Sequence, residues 1–179
     1  KGLQTLVWKG DDANGDDLTY DVLARREGET TWRSLATALT DPIYVWDTTT
    51  VASGLYVVKI VASDQPSQGA RSSLKGEAES PVIEVDNVPP VLTGRTPRRE
   101  GTTVSVPVDI RDDQSAILRV EYAVDGGAWQ TAFADDGLFD SRSESVTVRV
   151  ANAENARAVV VRAEDGLHNI GSTVVSLRP

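Results

Sequence analysis

The residues best suited to chemistry in this 179-residue chain are acidic and crowd into one loop. Asp11, Asp12, Asn14, Asp16 and Asp17 lie within Gly10-Asp11-Asp12-Ala13-Asn14-Gly15-Asp16-Asp17. Oxygen donors recur there at alternate positions, and a hard cation such as calcium is held by several carboxylate and carbonyl oxygens together. The spacing departs from an EF-hand loop, which needs Gly at its sixth position and Glu at its twelfth; here those positions are Asp17 and Leu23. The plainer reading is a solvated loop whose Asp and Asn side chains bond their own backbone, with a calcium loop as the alternative. Asp135-Asp136-Gly137 with Asp140 is a second acidic loop and reads as a turn. His168 is the lone histidine. Ser172 and Asp165 are near it in sequence, but a triad needs nucleophile, base and orienting acid converging in a pocket, and a tight turn offers none. The expectation is therefore no catalytic residue, no metal ligand, no cofactor and no enzyme. Four Trp remain. Trp8 reads as core. Trp32, Trp46 and Trp129 could stack on sugars from an outer sheet face; the preferred reading is that they cover sheet edges with the indole N–H bonded at the rim.

The elements that must position these residues are strands. Tyr56, Val58, Ile60 and Ala62 alternate with Lys59 and Ser63, the period of two that marks a half-buried strand. Val159, Val161 and Ala163 before Asp165 repeat the pattern. Leu18, Tyr20, Val22 and Ala24 are echoed by Leu118, Val120, Tyr122 and Val124, each set expected to share one face. Further strands are expected at 3–8, at 30–35 carrying Trp32, at 43–49, at 81–85, at 104–110, at 146–150, at 158–163 and at 173–177. The stretch 65–80 reads as the longest loop of the first half, with Arg71 and Lys75 as solvated charges, and as the first place to look for a partner. No segment of useful length has helical periodicity. Strands at regular spacing with turns between them mean an all-β sandwich or barrel, and the fold class expected is two tandem antiparallel β-sandwiches. Val88-Pro89-Pro90 removes two backbone donors and fixes φ, so it is a stiff extended junction. It divides the chain into domains at 1–87 and 88–179.

Composition bounds the partners. The chain carries 27 acidic and 18 basic side chains, a net charge of −9. Tracking phosphates requires a basic face, so this balance argues against nucleic acid and anionic membranes. No apolar run approaches the ~20 residues of a membrane span. With no Cys, thiolate zinc sites and disulfides are excluded. The chain starts at Lys1 and holds no Met, so it is expected to be a piece of something longer.

Trp8 closing a strand, Tyr20 with Val22, and Leu55-Tyr56 opening the central strand make residues 1–87 resemble a fibronectin type III domain. The resemblance implies a tyrosine corner, with the Tyr56 hydroxyl tying down the loop around 50–53. No strand precedes Leu3, so the first strand of that domain is missing, very short or swapped. The run Arg162-Ala163-Glu164-Asp165-Gly166-Leu167-His168-Asn169-Ile170-Gly171 resembles a hairpin of immunoglobulin-like repeats in secreted bacterial proteins, with His168 where Gly is usual. Arg157 stands where Tyr56 would be, so the second half lacks the corner. Asp86-Asn87 resembles the calcium-rigidified linkers of cadherins, whose other acidic motifs are not evident; a proline-stiffened linker is preferred. Together the halves resemble sandwich tails of bacterial extracellular proteins. The resemblance implies a non-catalytic spacer or adhesion module, outside the cell, on its surface or in the periplasm. Its partners would be other domains of the same longer chain. The alternative is a carbohydrate-binding module, calcium-assisted or not, so a protein or carbohydrate ligand stays open.

Overall fold

The computed structural model describes residues 2–178. The chain divides into two compact units, Gly2–Asn87 and a second beginning at Val88. Each is an antiparallel β-sandwich.

In the first unit, β1 (Leu3–Val7) pairs with β4 (Ile43–Asp47). The facing sheet runs β3 (Arg33–Leu39), β2 (Thr19–Arg26), β5 (Gly54–Ser63) and β6 (Lys75–Glu79), with β7 (Ile83–Val85) also on β5. Alternation decides what goes inward. Val22, Ala24, Trp46, Tyr56, Val58 and Val85 are buried, with Leu6 and Trp8 packed against them. Trp46 meets Tyr56 edge to face at 5.6 Å between centroids. The Tyr56 hydroxyl donates to the Ala52 carbonyl at 2.8 Å, so the corner is formed. Leu3, Val7, Ile43 and Val45 point away from this core and are exposed.

In the second unit, β8 (Val91–Gly94) and β9 (Arg98–Glu100) flank β10 (Thr103–Arg111), which pairs with β13 (Ser143–Val150). The other sheet runs β12 (Gln130–Ala132), β11 (Ile117–Val124), β14 (Ala158–Asp165) and β15 (Ile170–Ser176). The pairing repeats that of the first unit: β10 with β13 as β1 with β4, and β12-β11-β14-β15 as β3-β2-β5-β6. Its core is aliphatic, with Val104, Val106, Val108, Val146, Val148, Val159 and Val161 all buried.

Several elements differ from expectation. The third strand begins at Arg33 rather than Thr30, because Arg25 Nη1 holds the Glu29 carbonyl and extends the turn. The fourth ends at Asp47, which accepts from the Thr49 amide and starts a 3-10 turn over Thr48–Thr50. The stretch 65–80 is not one loop. It holds a single helical turn, α1 (Gln65–Gln68), and then the edge strand β6, every residue of which is exposed. Leu118 is 53% exposed, because a bulge between Ile117 and Arg119 slips the alternation there; Ile117 and Val120 are buried in the core, and Tyr122 and Val124 pack against it on the expected face. Trp46 belongs to the core at 1% exposure, not to a rim.

Tyr56→Phe leaves the Ala52 carbonyl without its donor and is expected to cost the first domain ~1–3 kcal/mol; an unchanged denaturation midpoint would count against the corner. Arg157→Ala, at an exposed side chain, should stay within about 0.5 kcal/mol. At Gly171 an added Cβ would fall on the Pro90 carbonyl oxygen. Gly171→Ala is expected to destabilise the second domain by ~1–3 kcal/mol or more, the cost of overpacking against backbone that cannot rotate away.

Candidate functional site

The acidic loop between β1 and β2 is shaped by its own backbone. Asp12 Oδ1 accepts from the amides of Asn14 and Asp16, at 2.8 and 3.1 Å, and Gly15 turns the chain at φ +75°. These bonds aim Asp12 and Asp16 toward the end of β5. There Asp64, 5% exposed, accepts from the Leu74 amide at 2.7 Å. Carboxylate oxygens of Asp12, Asp16 and Asp64 lie within 4.8 Å of one another. Asp16 Oδ2 also takes the Gln68 side-chain amide at 2.7 Å. The loop borders a cavity of about 510 Å³ that includes Gly10, Thr19, Tyr20 and Pro66. These three carboxylates could hold a cation, by charge and by oxygen chemistry.

The structure thus splits the expected ligand set. Asp12 and Asp16 converge. Asp11 turns to Lys9, with both side chains exposed. The Asn14 amide donates to Asp12, and the Asp17 amide donates to Ser67 Oγ. Asp64 was missed. Its signal was its place directly after the central strand, where a buried carboxylate caps the next connection.

Other candidates are drawn into structural roles. Asn87 Nδ2 donates to the carbonyls of Thr48 and Val51, and its amide donates to Ser53 Oγ. Asp135 accepts from Thr147 and Asp136 from the Leu138 amide, so 135–140 is a bonded turn. His168, Ser172 and Asp165 do not form a relay. His168 Nδ1 pairs with Glu164 Oε1 at 2.6 Å. Asp165, fully buried, accepts from the amides of Leu167 and Asn169 and from Asn169 Nδ2. Ser172 lies opposite Arg162 in the β14–β15 ladder. His168 adopts φ +67°, a region β-carbon-bearing residues avoid, so it fills the Gly position of the hairpin under strain.

Both sandwiches carry a Trp beneath cations. Arg25 and Lys59 lie 4.8 and 4.6 Å from the Trp32 centroid, and each pairs with a glutamate of β6, Glu79 and Glu77. Arg162 lies 4.0 Å over Trp129 and bonds Glu121, while Arg119 bonds Glu164. Glu164 is held below the ordinary carboxylate range, first by the His168 hydrogen bond and then by Arg119. Trp129 is the most exposed of the pair, at 42%. No helix among the described residues is long and apolar enough to cross a membrane.

No known protein-family model matches this chain. No curated protein matches it either. Among solved structures it is similar to the crystal structure of chicken CNTN1 FN1-FN3 domains, at 16% identity and a TM-score of 0.43. That match covers 99% of this chain and 63% of the other. A likeness at this level assigns neither family nor activity.

Proposed function

We propose that this chain is a non-catalytic structural or adhesive module, a pair of tandem sandwiches that space or present other domains of a longer bacterial protein outside the cell or on its surface. The first is fibronectin type III-like and the second immunoglobulin-like. The observation that carries the reading is how the reactive side chains spend their polar atoms. His168 bonds Glu164, Asp165 bonds three N–H groups of its own hairpin, and Asn87 braces the 3-10 turn. Each bond fixes a turn and leaves no acid–base pair aimed at a common point. The formed Tyr56 corner and the repeated strand pairing support the family reading of the two halves. The hairpin ending in Gly171 supports the bacterial, extracellular one.

Titration with a panel of oligosaccharides, followed by tryptophan fluorescence, tests the module reading. The expected result is no saturable change. Saturable quenching that Trp129→Ala abolishes would replace the spacer with a carbohydrate-binding module.

A structural role for Glu164 also has a pH signature. Its carboxyl is held low in the folded state, from an ordinary value of 4.5. A depressed folded pKa contributes stability that is present above the unfolded pKa and is lost as pH falls through the folded one. Stability of the second domain should therefore drop as pH falls below 4.5, and Glu164→Gln should flatten that part of the curve. A variant that follows the wild-type acid limb would remove Glu164 from the account.

A further inference from the structure

The second domain holds a pair of carboxylates that its own side chains do not neutralise. Asp112 follows β10 and opens the connection to β11; Asp165 closes β14 and opens the hairpin to β15. The two turns are fixed to each other, because the Gly166 amide donates to the Ala116 carbonyl at 2.8 Å. Asp112 is 4% exposed and Asp165 is fully buried, and carboxylate oxygens of the two lie within 4.8 Å. Each leads a turn of the same design. Asp112 Oδ1 accepts from the amides of Gln114 and Ser115, both at 2.8 Å, and Asp165 Oδ1 from those of Leu167 and Asn169. Among the described residues neither has a Lys or Arg within ion-pair distance.

What the turns leave over points to a ligand. Asp112 Oδ2 is buried with no hydrogen-bond partner, and so is Gln114 Oε1 two residues on. Both orphaned atoms are oxygen acceptors. Buried carboxylates are ordinarily paired or coordinate a metal, and two like charges at this separation repel. We propose that the second domain binds a hard divalent cation, calcium, between these two turns, with Asp112 Oδ2 and the Asp165 carboxylate as its anionic ligands and Gln114 Oε1 as a neutral one. Water completes the six to eight oxygens that calcium takes. An all-oxygen donor set disfavours the softer transition metals. The cation joins the start of β11 to the start of β15, so it braces the end of the sandwich where the β10–β11 crossover and the β14–β15 hairpin turn.

The test uses the whole chain, stripped with a chelator and then titrated with calcium chloride. Calorimetry reads binding, and unfolding of the second domain is read as the part of the fluorescence change on heating that Trp129→Phe removes, Trp129 being the second domain's only tryptophan. Calcium is expected to raise the unfolding temperature of the second domain. Asp112→Asn keeps Oδ1 for its two amides and removes the charged Oδ2. It should weaken binding at least tenfold and abolish the calcium-dependent shift, while the stripped variant melts no lower than the stripped wild type, since one of two repelling charges is gone. Asp64→Asn, in the first domain's acidic group, should leave that shift intact. The proposal is overturned if calcium leaves the second domain's transition unmoved, or if Asp112→Asn binds and shifts as the wild type does. It is also overturned if Asp64→Asn abolishes the shift, which would place the cation on Asp12, Asp16 and Asp64.

Discussion

Trp46 standing edge-on against Tyr56 is the contact on which the first domain depends. Among the described residues its contiguous core cluster has six buried members, against seventeen in the second domain. Two of the six are this aromatic pair. A large ring supplies the buried area that a small sandwich cannot draw from aliphatic side chains alone, and an edge-to-face pair adds about 0.5–1.5 kcal/mol beyond area. Tyr56 also spends its hydroxyl on the Ala52 carbonyl. One residue thereby fixes the interior and the turn entering β5. The second domain reaches the same pairing order by filling the space with valine from β10, β13 and β14, and so does without the corner at Arg157.

The outer faces solve a different problem. A sheet with one face in a core must leave the other soluble without leaving aromatic rings bare. In both domains a Trp just ahead of a strand folds under a guanidinium or ammonium carried by the neighbouring strands, and glutamates then pair with those cations. Cations stack on indole for about 0.5–2 kcal/mol, and a half-desolvated network is worth more than isolated surface pairs. Lys59 is 16% exposed at its side chain and Glu164 is 12%, so these groups act as covering as much as charge. This explains the composition of β6. Its Lys, Gly, Glu, Ala and Glu look unlike a strand because its work is to present Glu77 and Glu79 along a sheet edge, where charge also discourages pairing with another chain.

That division accounts for what could be read from the chain. Strands with one apolar face were legible, β2, β5, β10, β13 and β14 above all, because burial on one side imposes a period of two. So was the Tyr56 corner. The edge strands β6, β8 and β9 were not, since pairing with a neighbour's backbone needs no side-chain pattern. Leu118 was misplaced because a bulge inverts parity without marking the sequence. Trp46 was misplaced because the parity of β4 is set by its partner β1: Ile43 and Val45 are as apolar as the residues that face inward. At the acidic loop, Asp12 and Asp16 could be found from spacing, while Asp64 is distant in sequence and is brought in by the pairing of β2 with β5.

Asp12, Asp112 and Asp165 use one device, a carboxylate oxygen accepting two amides of the turn it begins. The device organises a turn equally well in either setting, and burial decides what else it brings. At Asp12 the turn is partly open and water can solvate the remaining oxygen. At Asp112 and Asp165 the turns are sealed, so the charge that builds the turn must be met by something other than solvent. A sandwich end made this way is stiff only when that charge is met. The same bonds that organise the two turns thus set the place where a cation would act on the end of the second domain.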